Sequence, residues 1–455
     1  MSESALPHGA GTDSATVTHR RVLALAFPIV LANLTQPILG AVDTAVAGHL
    51  DGAQYLGGVA LGGLFFNFVF WGFGFLRMGT TGLVAQAHGA GDDAGIRLNL
   101  LRALIVAFAL GAAVLALQVP LLSFALTALG GSDAVRATAL SYSHARIWSA
   151  PFALANYVVL GYLLGVQRVR LALVAQVFIN AVNIGAVLLY VYGFGWGIAG
   201  IGAATATADA CGFALGAWML WRLRPRGLGP IAARALADRA ALKRLIALNR
   251  DIFLRTLCLL GAFGWFAHLG AKQGDATLAA NALLLNFQTF MAYGLDGFAH
   301  AAEALVGAAA GARDRGAFRQ AVRVTLFWSA LGALLFALVY WAGGGWIVAR
   351  LTDQAEIRAV ALRYLPWAAI SPIVSVWGFL LDGVFIGATQ TQSLMRAMIV
   401  SFSIFIAATL AVGTFGNHGL WFALLLFMAA RGATLARYLP GLLRRIGADA
   451  HAARA

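Results

Sequence analysis

Predominantly apolar runs longer than twenty residues recur about a dozen times along this chain, and that recurrence decides most of what it can fold into. A helix needs about 20 apolar residues to cross the hydrocarbon core of a bilayer, so twelve would use roughly 260. That is close to the apolar content of a 455-residue chain that is 61% hydrophobic. Only 11% of the residues are charged, and the mean hydropathy is +0.80. A soluble domain carries about 25% charged residues. A soluble enzyme, a disordered chain and a secreted disulfide scaffold are therefore excluded. Membrane β-barrels alternate apolar and polar residues over segments of about ten, and that pattern is missing, which leaves helices as the spanning structure.

Runs bounded by Gly, Pro or charge place twelve helices near 22–47, 54–78, 98–124, 134–165, 170–193, 197–222, 245–271, 276–306, 318–343, 356–388, 392–414 and 419–443. Basic residues collect in every second connection: Arg20 and Arg21, Arg97 and Arg102, Arg168 and Arg170, Arg222 to Arg244, Arg313 to Arg323, Arg396, and Arg437 to Arg445. The positive-inside rule puts these connections, and both termini, in the cytoplasm. The opposite connections hold little more than Arg136, Lys272, Arg350 and Arg358. This imbalance accounts for the net charge of +14 without nucleic acid, because the basic residues form no single face. Residues 1–20 are polar, and the long first apolar run has no cleavage site, so they read as a short cytoplasmic tail rather than a signal peptide. Cys211 and Cys258 lie in apolar runs without CxxC spacing and read as small buried residues.

The longest polar connection, 223–244, holds Pro225 and Pro230 and falls at the middle of the chain. Sliding the sequence by 222 residues matches Val84, Gly89, Asp92 and Arg97 to Val306, Gly311, Asp314 and Arg319. The same shift pairs Arg136, Tyr142, Ser149, Gly161 and Gly165 with Arg358, Tyr364, Ser371, Gly383 and Gly387. The expected organisation is a tail at 1–20, a six-helix N-terminal lobe at 21–222, a cytoplasmic linker at 223–244, a six-helix C-terminal lobe at 245–445 and a tail at 446–455. Six helices return each half to its starting side, giving a parallel repeat about the membrane normal. Secondary transporters use that arrangement, with the substrate site between the halves; a duplicated channel or membrane enzyme would share it.

A charge at mid-membrane depth costs about 2.5–3.5 kcal/mol on insertion scales, which makes the few intramembrane carboxylates candidates for chemistry. Asp43 shares a face of helix one with Asn33, Gln36 and Gly40, and Pro37 removes a backbone hydrogen bond among them. A carboxylate there either exchanges protons and tips a kinked helix between two shapes, or reaches water or a basic neighbour near the helix end. Helix eight carries Asn286, Thr289, Tyr293, Asp296, His300 and Glu303 at three- and four-residue spacing. Such a face lines a water-filled cavity or joins a structural network with an arginine. Gln176, Asn180 and Asn183 on helix five bind a ligand or bond to neighbouring helices. Asp382 on helix ten and Asp209 on helix six line a cavity or pair structurally. Asn249, Arg250, Asp251 and Arg255 read as an interfacial charge network opening helix seven. The histidines have no metal-ligand spacing, and HExxH, GxSxG and Walker-type loops are absent from the sequence, so neither a catalytic nor a metal site is expected.

The segment AVDTAVAGHL at 41–50, the connection GLVAQAHGAGD at 82–92, LGAKQGDATLAANALLLNF at 269–287 and LDGFAHAAEALVGAAAGARD at 295–314 resemble the multidrug and toxic compound extrusion (MATE) family, in its DinF-type branch. The resemblance covers nearly the whole chain. It implies a V-shaped pair of six-helix bundles that alternate between inward- and outward-open states and export amphipathic, often cationic compounds against inward proton or sodium flow. By the same resemblance, Asp43 stands at the coupling carboxylate of helix one, Asn183 at the asparagine of an NxxxD pattern in helix five, and Thr207 at the threonine of an AT pair in helix six. Where that pattern has its aspartate, this chain has Val187, and a missing carboxylate takes a hard oxygen ligand from a sodium site.

Protons are therefore the expected coupling ion, handled by Asp43 with Gln36, Asn180, Asn183 and Thr207, and no cofactor is expected. Asn33, Asn286, Tyr293, Asp296, His300, Glu303 and Asp382 form the expected substrate cavity. The chain thus reads as an all-α membrane protein: twelve transmembrane helices in two six-helix bundles related by pseudo-two-fold symmetry, acting as a monomer in a bacterial cytoplasmic (inner) membrane. The expected activity is proton-coupled antiport of small organic compounds, not enzymatic conversion. A flippase for lipid-linked sugars would carry more basic residues in its central cavity than this N-terminal half does. A polytopic membrane enzyme would need a nucleophile–base pair or a metal set.

Overall fold

The computed structural model describes residues 17–50, 52–224 and 231–452, and every regular element among them is a helix. The first lobe contains α1 (His19–Gly48), α2 (Gln54–Gly89), α3 (Asp93–Ala116), α4 (Asp133–Gly165), α5 (Val169–Gly193) and α6 (Gly197–Leu223). The second contains α7 (Arg239–Ala271), α8 (Asp275–Gly311), α9 (Arg315–Leu351), α10 (Ala355–Gly387), α11 (Thr391–Ala411) and α12 (Gly416–Ala452). Eleven helices among the described residues are long and apolar enough to cross a membrane; the 37-residue α8, which carries Asp296 and Glu303, falls outside that set and packs against α9, α10, α2 and α1.

Several boundaries differ from the expectation. The stretch 82–89, read as connection, is the last two turns of α2, because its glycines serve helix packing rather than chain reversal. Helix α7 starts at Arg239 under an Asp238 cap that accepts from the Ala240 amide at 3.0 Å, so the end of the 223–244 linker is helical. Pro225 and Pro230 lie outside the described residues. Helix α12 runs past the expected start of the C-terminal tail at 446.

Polarity is arranged for a lipid solvent. Leu335, Leu338 and Trp341 on α9 and Leu410 on α11 are exposed, whereas Asn281, Gln288, Thr325 and Ser371 are buried. At one end of α6, Arg222 lies over Trp218 and Trp221 at 5.3 and 5.6 Å; at the opposite side, Arg350 on α9 lies 5.5 Å from the Trp346 ring. Such pairs suit the two membrane–water interfaces.

The internal repeat extends to the backbone. Asp92 caps α3 by accepting from the Gly95 amide at 2.8 Å, and Asp314 caps α9 by accepting from the Ala317 amide at 2.9 Å. Gln167 (φ 60°) and Thr389 (φ 53°) are 222 residues apart, as are Gly91 (φ 68°) and Arg313 (φ 55°). These left-handed residues terminate α4, α10, α2 and α8 in the manner of helix C-caps. The lobes meet where α2 crosses α8. A Cβ on Gly89 would collide with the Ala308 carbonyl, and one on Gly311 with the Gln86 carbonyl, a reciprocal pair under the same shift. Only glycine allows that backbone approach. The crossing lies at the end bearing the basic connections. Mid-depth contacts continue it, with Gly297 of α8 against Val30 of α1. The far segment of α1, Gln36–Gly48, packs instead on α2, α5 and α6 of its own lobe.

Candidate functional site

The N-terminal site begins with the break in α1. Its two pieces, His19–Leu34 and Gln36–Gly48, meet at Thr35, two residues before Pro37, which has no amide hydrogen to continue the ladder. The Thr35 hydroxyl donates to the Ala32 carbonyl at 2.7 Å and accepts from Asn180 Nδ2, also at 2.7 Å, so α5 holds the break. Gln176 Nε2 in turn donates to Asn180 Oδ1 at 3.2 Å. Two turns beyond the break, Asp43 is 8% exposed, and its Oδ1 is buried without a hydrogen-bond partner among the described residues. The side chain of Gln36 lies outside the described residues. Asn183 Nδ2 donates to Thr205 Oγ1 at 3.1 Å and its Oδ1 has no partner among the described residues. Thr207, the expected threonine, pairs instead with the Tyr190 hydroxyl at 3.1 Å. Val187 is fully buried in an apolar cluster with Val46, Ala47, Ile201 and Ala204.

The sequence reading missed Arg146. From the middle of α4 its Nη1 donates to the Tyr142 hydroxyl, and its guanidinium stands 4.6 Å from the Phe66 ring centroid. An arginine inside a predicted span is as costly as an aspartate, so the signal was present, but basic residues entered the sequence reading chiefly through topology.

Helix eight divides where the sequence suggested one cavity face. Asn286 is exposed and lines a groove of about 450 Å³ with Phe290, Phe336 and Tyr340, away from the lobe interface; Thr289 is also exposed. The Tyr293 carbonyl accepts from Asn33 Nδ2 of α1 at 3.2 Å, which puts both residues between the lobes. Asp296 and His300 are half-buried there; Asp296 makes no hydrogen bond or ion pair among the described residues, and His300 Nδ1 is buried without a partner. Two acids of the expected cavity are held in ion pairs. Glu303 is 2% exposed and forms an ion pair at 3.1 Å with Arg77 of α2, across the lobe boundary. Asp382 is clasped by Arg255 of α7 and, at 2.6 Å, by Arg431 of α12, whose guanidinium lies 5.3 Å from the Phe379 ring centroid. A carboxylate so far from water is held by the guanidinium that reaches it. Arg255 thus leaves the expected α7 network, where Arg250 pairs with Asp251 at 2.8 Å and Thr391 donates to Asp251 at 3.3 Å. No group of three His, Cys, Asp or Glu able to hold a metal occurs among the described residues.

Two repeated six-helix lobes with ionisable groups buried within them have the architecture that secondary transporters use. The MatE family model matches residues 28–191 and 256–430, and the chain belongs to this family of multidrug and toxic compound transporters. DNA damage-inducible protein F of Escherichia coli (strain K12) is 43% identical over 413 residues, 90% of each chain. A probable multidrug resistance protein NorM of Rhizobium meliloti (strain 1021) is 27% identical over 96% of this chain and 97% of its own. Among solved structures, a MOP superfamily transporter from Pyrococcus furiosus superposes with a TM-score of 0.83 at 18% identity, covering 94% of this chain and 96% of that one. An outward-facing multidrug resistance MATE family transporter gives a TM-score of 0.83 at 19% identity with the same coverage. These matches establish the V-shaped twelve-helix fold.

Proposed function

We propose that the protein exports amphipathic organic cations across a bacterial cytoplasmic membrane in exchange for inward-moving protons, with Asp43 as the carboxylate that takes and releases the proton. The reading rests on one observation: Asp43 has a buried oxygen without a partner among the described residues and sits on the far segment of a helix broken at Thr35. An ionised carboxylate there needs a proton, a cation or a basic neighbour, so occupancy of the site and the shape of α1 are coupled. The names of the NorM relative and of the outward-facing structural neighbour support multidrug export. Contact between the lobes on the side of the basic connections, with α1 beyond Thr35 kept to its own lobe, fits an outward-facing state with both termini cytoplasmic. Val187 contributes only packing where a sodium-type pattern would supply oxygen, which favours protons over sodium.

The test uses the purified protein in liposomes. Asp43→Asn keeps the shape of the protonated acid but cannot release a proton, so it is expected to bind substrate and fail in proton-driven efflux. Efflux at the wild-type rate by this variant would overturn the assignment. A sodium gradient at constant pH is expected to drive no efflux, and transport under that gradient alone would contradict proton coupling.

A further inference from the structure

At the end that bears the basic connections, a cavity of about 830 Å³ lies between the lobes, beside the crossing of α2 and α8. Its walls come from α2 and α3 of the first lobe and from the start of α7 and the end of α8 of the second. Five charged side chains line it: Arg102, Arg244, Arg313, Asp92 and Asp238. Arg102 is 8% exposed and donates from Nη2 to the Ala235 carbonyl and from Nε to the Leu236 carbonyl, the latter at 3.4 Å, so it ties the short linker helix Ala233–Leu236 to α3. Asp92 and Asp238 each spend an oxygen on a helix cap, at the Gly95 and Ala240 amides. The other two arginines are scarcely engaged. Arg244 reaches Gln86 Oε1 and the Thr389 hydroxyl only at 3.4 and 3.5 Å, and the guanidinium of Arg313, a residue in the left-handed region, makes no hydrogen bond or ion pair among the described residues.

Three guanidiniums against two carboxylates leave one positive charge in the cavity. Apart from Gln86 and Asn99, the remaining lining side chains are apolar, Leu83, Leu98 and Leu245 among them. A free inorganic anion gains nothing from that second surface. A phospholipid at the membrane edge presents a phosphodiester of one negative charge joined to a glycerol and acyl chains, and basic pockets between transmembrane helices take such headgroups.

We propose that this cavity binds the headgroup of an anionic phospholipid, with the phosphodiester held by Arg244 and Arg313 and the glycerol and upper acyl chain laid against Leu83, Leu98 and Leu245. Arg102 is a positioning residue, keeping the linker against α3. The ligand touches both lobes, since Leu83 and Leu98 belong to the first and Arg244 and Arg313 to the second. Gly311 lines the cavity and also forms the crossing, so parting α2 from α8 takes the site apart. Binding therefore favours the state closed at this end. Neither Asp43 nor a proton enters this account.

The probe is dihexanoyl phosphatidylglycerol, added below its micelle concentration to the purified full-length protein in a neutral detergent, with dihexanoyl phosphatidylcholine and inorganic phosphate for comparison. Phosphatidylglycerol is expected to raise the thermal unfolding temperature saturably and to reduce the population with long spin-label distances across the α2–α8 crossing, while the other two do neither. Arg244→Gln combined with Arg313→Gln is expected to weaken this binding by about tenfold or more, because two charged hydrogen-bond donors are lost. Arg437→Gln, at an exposed position of the basic C-terminal segment outside the cavity, is expected to bind as the wild type does. No saturable rise in the wild type, an equal rise with phosphatidylcholine, or undiminished binding by the double variant overturns the proposal. Equal weakening by Arg437→Gln overturns it too, since the attraction then belongs to the basic surface as a whole. If inorganic phosphate matches phosphatidylglycerol, the site takes a free anion and the lipid assignment falls. The comparison of the three probes needs no substitution and decides the matter if the double variant fails to fold.

Discussion

Arg77 and Glu303 are 3.1 Å apart and nearly without water, one on each lobe, so the pair has to part each time the lobes separate on that side. Removing only one member leaves the other as an unpaired buried charge, at a cost of about 3–5 kcal/mol. Arg77→Met is therefore expected to lower the thermal unfolding temperature more than Arg77→Met combined with Glu303→Gln, and a differential scan of the two variants checks it. Asp382 differs in having two guanidinium partners, so Asp382→Asn leaves Arg255 and Arg431 facing each other. Its expected destabilisation is the larger when compared with Asp296→Asn, because Asp296 has no ion-pair partner among the described residues to strand. Equal unfolding temperatures for the two would contradict the pairing. The acids themselves were legible in the sequence, since each violates the apolar rule of its helix. Their partners were not: Arg77 and Arg431 pair with residues 226 and 49 positions away.

At the scale of the helix, the repeat matches at Gly89, Gly311, Asp92 and Asp314 mark physical devices. The two glycines let α2 and α8 approach backbone to backbone, and the two aspartates start α3 and α9. Gly311→Val is expected to force the crossing apart and raise the population open on the side of the basic connections. Spin-label distances across that crossing would lengthen, and unchanged distances would refute a gating role for the contact. Asp92→Ala and Asp314→Ala are each expected to cost about 1 kcal/mol, the usual value of an N-cap, without moving that distance. Reading 82–89 as connection failed because glycine that serves close packing and glycine that serves a turn look alike in a sequence. The Pro37 break, in contrast, could be read directly, since a missing amide hydrogen is a local property.

For the molecule as a whole, the placement of Lys and Arg predicts that labels in 272–275 and in the C-terminal segment report opposite sides of the membrane. Cysteine labelling that places both on one side would sink this topology. The sequence alone determined that the chain spans a membrane as about twelve helices in two repeats, because lipid demands long apolar helices and a duplication keeps its glycines and caps. It also singled out Asp43, whose expense in a bilayer is visible from its neighbours along the helix. Only the tertiary structure decided how the charges are shared. It committed Glu303 to Arg77 and Asp382 to Arg255 and Arg431, and it set Arg146 against Tyr142 and the Phe66 ring. Helix periodicity reports which residues share a face. Electrostatic pairing acts through space and depends on how helices far apart in the chain are turned toward one another.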